Sequence, residues 1–191
     1  VRSGRLEAFS DGVIAIIITI AVLGLRAPES GELTALGHEA PVLLAYALSF
    51  LNVGLYWNNH HHLFQAAERI DGRVLWSNLF LLFWLSLVPF VIRWLDAARF
   101  APGPMAAYGV VMGMASIGWL MTERSLIACN GEDSFLARAV GIDRKGKSTL
   151  VIYFLAAGLA FVHPAIAVVL YVGAVLAWIV PDRRLERISD R

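Results

Sequence analysis

Near its start the chain sets a hydroxyl and a carboxylate side by side, within Arg5-Leu6-Glu7-Ala8-Phe9-Ser10-Asp11-Gly12. They stand at the mouth of a segment that is apolar from Val13 to Leu25, broken only by Thr19. An ionisable group at the entrance of such a run is expensive to desolvate, so it normally has a task. The residues that follow carry a second pattern. At about 100° per residue, Phe9, Gly12, Ile16, Thr19, Ile20 and Leu23 fall within about 120° of one another on a helix. Branched apolar side chains with one hydroxyl among them suit the lining of a narrow pore, where rings of large apolar groups gate by dewetting. Ordinary helix packing uses the same residue types, because any membrane helix has such a face. Thr19 is open in the same way. Its hydroxyl can bond its own backbone three or four residues back, and a ring of threonines from several subunits can touch a partly dehydrated cation. Gly12 relieves crowding at the inner mouth.

Asp11 projects well away from this stripe and Ser10 lies on its other flank, so the polar pair faces neighbouring helices. Arg5 projects onto the stripe side, about one turn before the membrane. A buried carboxylate needs donors. Arg5, Ser10, Trp57, Asn58, Asn59 and the His60-His61-His62 cluster are the candidates, since the end of the second span returns to the same side. A Ser10–Asp11–histidine network would lock the first helix against the second, a packing role that needs no catalysis.

Other reactive groups carry little. Adjacent residues on a helix point about 100° apart, so His60, His61 and His62 cannot easily close on one metal ion, and no other helix supplies a convincing pair of ligands. No phosphate-binding loop or nucleophile–base constellation stands out, so the chain reads as neither an enzyme nor a cofactor protein. The single cysteine, Cys129, excludes an intrachain disulfide and a cysteine metal cluster, and suits a small apolar filler. Glu68, Arg69, Asp71 and Arg73 read as a solvated turn. His163 is expected to cap or pack at an outer hairpin.

The elements that position these groups follow from composition. Of 191 residues, 58% are hydrophobic and 16% charged, against about 25% charged in a soluble domain. The charges gather in short clusters between runs that are apolar on every face, so lipid is the solvent. A net charge of +1 leaves no nucleic-acid footprint. The first apolar run lacks a small-residue cleavage site and more spans follow it, so it reads as a retained helix rather than a signal peptide. Six spans fit best, roughly 8–26, 40–64, 73–95, 105–128, 148–162 and 164–181, in one all-α domain over residues 1–191. Trp57, Trp76 and Trp94 fall near span ends, where indole rings favour the headgroup zone. Pro28, Pro41 and the Ala101–Pro104 segment punctuate the first connections.

The last two spans rest on one dipeptide. The stretch Leu150–Val180 would be about 47 Å long as one helix, against a hydrocarbon core of roughly 30 Å. His163-Pro164 sits near its middle, and proline cannot donate the helix hydrogen bond. Two short connected helices explain this better than one rod; a single bent helix is the alternative. With the amino terminus inside, the inner segments hold Arg2, Arg5, Arg69, Arg73, Arg124, Arg138, Arg144, Lys145, Lys147, Arg183, Arg184, Arg187 and Arg191, and the outer ones only Arg26, Arg93 and Arg99. The positive-inside bias therefore puts both termini in the cytoplasm and favours an even number of spans. Within the charged 123–147 loop, Phe135–Val140 fits either a small amphipathic segment or a plain linker.

Three strings resemble a known family. Arg5-Leu6-Glu7-Ala8-Phe9-Ser10-Asp11-Gly12-Val13 with Thr19, Val22-Leu23 and Pro28 is similar to the first-helix signature of the prokaryotic relatives of the lysosomal potassium channel TMEM175, and Arg-x-x-x-Phe-Ser-Asp is its most specific mark. Tyr56-Trp57-x-x-His60-His61 and Asn78-Leu79-x-Leu81-Leu82-Phe83-x-x-Ser86-Leu87-x-Pro89-Phe90 extend the likeness. It covers residues 4–95 strongly and continues as a six-span pattern.

The resemblance implies a potassium-permeable cation channel in a bacterial or archaeal plasma membrane. Its partners would be potassium ions, membrane lipid and further copies of itself in a homotetramer, with first helices lining a central pore. It implies a hydrophobic constriction at Ile16, five residues past the motif Asp11. It also implies a hydroxyl contribution to potassium preference from Thr19, in transient contact with the ion, and a further apolar ring at Leu23. Arg5, Phe9, Ser10 and Asp11 would tie helices together with Trp57 and His60 or His61. A secondary transporter, with a substrate site near mid-membrane, and a non-conducting membrane scaffold are the competing classes.

Overall fold

The computed structural model describes residues 3–28, 30–141 and 143–179. Arg2, the expected end of the sixth span at 181 and the charged tail beyond it lie outside the described residues. Among the described residues eight α-helices follow one another: α1 (Ser3–Leu23), α2 (Leu36–Gln65), α3 (Gly72–Ser86), α4 (Val88–Ala97), α5 (Pro102–Asn130), α6 (Phe135–Val140), α7 (Arg144–Leu159) and α8 (Pro164–Ile179). Four stretches among the described residues are long and apolar enough to cross a membrane: Gly4–Leu23, Leu33–Gln65, Gly72–Ala97 and Pro102–Asn130. The protein is an all-α, multi-span membrane protein.

Several boundaries differ from the sequence reading. The first helix begins at Ser3 and ends at Leu23 rather than spanning 8–26, so the Ser10-Asp11 pair sits two turns inside a helix, not at its mouth. Pro41 does not punctuate the chain, because α2 begins five residues before it and carries it in its opening turns. The span expected over 73–95 is split at Leu87. Pro89 has no N–H to donate to the carbonyl of Leu85, and its ring crowds that carbonyl. The chain answers with a tight turn in which Leu87 N donates to Trp84 O (3.2 Å), and α4 resumes at Val88 with the proline in its first turn. The expected break before Pro164 is present: α7 ends at Leu159 and α8 starts at Pro164, as two helices. His163 caps the second of them, its Nδ1 accepting from Ala165 N at 3.2 Å.

The remaining helix starts are chemically explicit. Asp71 accepts from the backbone N–H groups of Arg73 and Val74 to open α3, Ser134 accepts from Ala137 N to open α6, and Asp143 accepts from Gly146 N to open α7. Each satisfies donors that a helix start leaves without an internal partner. The 135–140 segment is thus a short helix, not a plain linker. Asn130, at the end of α5, accepts from the N–H groups of Glu68 and Arg69 and donates to Arg69 O, which holds the α2–α3 turn against α5.

The interior is organised around α5. Helices α3 and α7 pack closely along it, α8 packs on α7, and α1 lies across α2, α3 and α4 at the periphery. Gly118 makes the α3–α5 approach possible: a Cβ there would stand 2.7 Å from Leu81 Cα and 2.9 Å from Leu81 N. Val74, Leu81 and Leu85 of α3 belong to the same buried cluster as Met112 and Ala115 of α5. α1 contributes only one side to that core, and this decides what its other side is free to do.

Candidate functional site

The two sides of α1 separate cleanly. Leu6, Ser10, Ile14, Ile17 and Ala21 are buried, while Phe9, Ile16, Ile20 and Leu23 are 52%, 56%, 50% and 80% exposed. Gly12 and Thr19 lie on the exposed side as well, and a Cβ at Gly12 would meet nothing. The six residues of the stripe therefore share one uncovered face in the single chain. Ile16, Ile20 and Leu23 also line one wall of a groove whose other wall is Ser86, Pro89, Phe90 and Arg93. The α3–α4 break thus borders this face directly.

Thr19 is internally bonded. Its hydroxyl lies 2.9 Å from Ala15 O and 3.0 Å from Ile16 O, so it donates back along the helix. A hydroxyl has one proton and two lone pairs, and with the proton committed inward the lone pairs remain available on the exposed side.

Polar contacts in three strands tie α1 to its neighbours, and the first of them is buried. Asn78 Nδ2 of α3 donates to Ser10 Oγ at 2.9 Å, and Ser10 in turn donates to Leu6 O at 2.9 Å. Asn78 Oδ1 lies 2.8 Å from His60 Nε2 of α2. With the amide nitrogen engaged by Ser10, the oxygen must accept, so His60 donates from Nε2. Ser10, His60 and Asn78 are each wholly buried, and the His60 ring stacks on Phe64 at 4.3 Å. Separately, Trp57 Nε1 donates to Asp11 Oδ1 at 2.9 Å. In the third strand, His61 Nδ1 lies 2.8 Å from Glu7 Oε1, and Gln65 Nε2 lies 2.8 Å from His61 Nε2. The glutamine amide can only donate to that nitrogen, so His61 donates to Glu7 from Nδ1.

This pattern corrects one expectation. Ser10, Asp11 and a histidine do not form one chain. Asp11 takes its donor from Trp57, Ser10 reaches His60 only through Asn78, and His61 belongs to Glu7. Arg5 is exposed and, among the described residues, forms no ion pair. The histidines cannot share an ion in this arrangement, since His60 points to α3 and His61 to α1. Among the described residues no three metal-binding side chains converge. Asn78 and Glu7 were not singled out from the sequence. Asn78 had a signal: it is an amide inside an apolar run of membrane length, where an unpartnered polar group is costly. Glu7 had only its place one turn before Asp11.

Comparison with known proteins follows the same geometry. The family model described as "Endosomal/lysosomal potassium channel TMEM175" matches residues 5–89, the segment that holds the stripe and the whole network. A potassium channel of Chryseobacterium sp. (strain P1-3) is 46% identical over 184 residues, 96% of each chain. One of Streptomyces collinus is 35% identical over 174 residues, 84% of each chain. Among solved structures, the crystal structure of a lysosomal potassium-selective channel TMEM175 homolog from Chamaesiphon minutus superimposes with a TM-score of 0.79 at 25% identity, covering 93% of this chain and 96% of that one. Animal relatives named endosomal/lysosomal proton channel TMEM175 match a shorter part; that of Homo sapiens is 44% identical over 72 residues, 31% of this chain and 14% of its own length.

Proposed function

Since the chain belongs to the TMEM175 family, a family of ion channels and not of enzymes, we propose that it is a potassium-permeable cation channel in which several copies bring their α1 helices around one central path. The observation that carries this reading is the division of α1. Its first half is fastened to α2 and α3 by three hydrogen-bonded strands, while large apolar residues on its outer side are half exposed or more, with none of the described residues covering them. In a homotetramer those faces meet at the symmetry axis. Four Ile16 side chains form the constriction, and the path closes when they touch and expel water. Thr19, one turn farther, turns its lone pairs to a passing ion that has shed part of its hydration. Leu23 forms a second apolar ring, and Gly12 widens the inner mouth.

The fastening explains why the helix is anchored at one end. Asp11–Trp57, Ser10–Asn78–His60 and Glu7–His61 all lie within the first half of α1. Among the described residues, the second half, from Ile14 to Leu23, makes no side-chain hydrogen bond to another helix and is freer to splay or rotate. Opening is a small movement of that half about the anchored end. The domain is a single six-span unit, with α3 and α4 together as the third span and α7 and α8 as the last two, and with both termini in the cytoplasm. It sits in the plasma membrane of a prokaryote.

The test is purified protein in liposomes. Potassium flux should appear and saturate only as a channel does, with unitary currents in planar bilayers, and the particle should have the mass of four chains. Sodium and proton flux are measured beside it, because the animal relatives are named for protons. Saturable exchange without unitary currents would make it a transporter; silent vesicles holding a well-formed oligomer would make it a scaffold. A monomer, or an oligomer with Ile16 against lipid, ends the pore reading.

A further inference from the structure

The groove beside the α1 stripe contains one charged residue. Arg93, on α4, lies beyond Leu23 at the end of α1 opposite its amino terminus, and its aliphatic stem crosses the chain at Gly24. A Cβ on Gly24 would stand 2.6 Å from Arg93 Cγ and 2.9 Å from Cδ, so a side chain there would displace the stem from this place. The same side chain lines the groove with Ile16, Ile20 and Leu23. It is exposed, and among the described residues no carboxylate lies within ion-pair distance of it. Asp96, one turn along α4, forms no ion pair with it.

The rest of the groove is apolar apart from Ser86, so the guanidinium is its one fixed charge. Arginine stays protonated at any working pH. Every copy of the chain adds the same charge at the same depth. Through water, a unit charge acting on a cation about 10 Å away is worth about 0.4 kcal/mol, and several symmetric copies add.

We propose that Arg93 is a conductance-determining residue of the outer mouth: its guanidinium, seated over Gly24, places a positive field beside the end of the α1 stripe and slows cation entry from that side. This rests on the pore reading above. It makes inward potassium current smaller than outward current, and it makes the asymmetry sensitive to salt. The screening length is about 10 Å at 0.1 M and about 3 Å at 1 M, so the field reaches a permeating ion in the first case and is lost in the second.

The experiment compares wild type, R93Q and R93K in planar bilayers in symmetrical KCl at both concentrations. R93Q is expected to raise inward unitary conductance about twofold or more in 0.1 M salt and to match wild type in 1 M. R93K, which keeps the charge, should behave as wild type. Equal currents for wild type and R93Q at both concentrations overturn the proposal, as does R93K behaving like R93Q, which would assign the effect to the shape of the side chain. Should R93Q fail to assemble, wild type alone decides: outward rectification that fades between 0.1 M and 1 M supports the proposal, and none at either concentration ends it. A wild type that carries no potassium at all would fail the pore reading itself, and the role of Arg93 with it. A conducting, unrectified wild type fails only the latter.

Discussion

Ser10 of α1 and Asn78 of α3, sixty-eight residues apart in sequence, are joined by a hydrogen bond of 2.9 Å between two wholly buried side chains. Asn78 spends its other side on His60 of α2. One amide therefore joins three helices at a single point, and its two ends are not interchangeable: the nitrogen must face the serine and the oxygen the histidine.

Replacing Asn78 with Ala or Leu should destabilise the protein more than Ser10→Ala does. The asparagine change strands a histidine donor and a serine acceptor, each worth about 1–3 kcal/mol when left unmet in the interior; the serine change strands only the amide N–H. Thermal unfolding in detergent checks the order. The double variant should cost less than the sum of the two singles, because both remove one contact; full additivity would mean that the two residues do not act through each other.

Gly118→Ala should be harmful for a different reason. The added methyl meets the Leu81 backbone, not a flexible side-chain tip, so α3 and α5 must move apart. A loss of about 1–3 kcal/mol is expected for such overpacking. Gly12→Ala on the open face of α1 is the control, and the same assay should leave its stability at wild type or slightly above, since alanine favours helix. Similar losses at both glycines would refute the close-approach argument.

Ile16→Ser should raise resting potassium flux several-fold in liposomes, because a hydroxyl at the constriction keeps water in it. Ile14→Val, two residues away on the buried face, should change stability slightly and flux hardly at all. Unchanged flux in Ile16→Ser would remove this residue as the gate.

Thr19→Val keeps the shape and removes the lone pairs. If those oxygens help a partly dehydrated ion, potassium-over-sodium preference from reversal potentials should fall by about twofold or more, at least roughly 0.4 kcal/mol. The helix itself should tolerate the change, since the lost hydroxyl bonds are to carbonyls already in the helix ladder. An identical reversal potential would take Thr19 out of the selectivity argument.

What the sequence determined by itself was periodic. Apolar runs of membrane length announce helices, and about 100° per residue assigns Phe9, Gly12, Ile16, Thr19, Ile20 and Leu23 to one side of α1; both follow from local geometry and need no partner. His163-Pro164 announced a helix boundary for the same local reason, a missing N–H. Yet Pro89 divided one span into two helices while Pro41 lies inside an unbroken α2, so the residue type alone does not place a helix boundary. Polar pairing was decided only in three dimensions. Asp11 had several donors within reach on paper, and the choice of Trp57 depends on how α2 rotates against α1. The role of Asn78 depends on α3 being drawn in over Gly118 until its amide falls between two other helices. Hydrogen bonds select partners over distances of about 3 Å, and no spacing along a chain fixes a distance that small between helices.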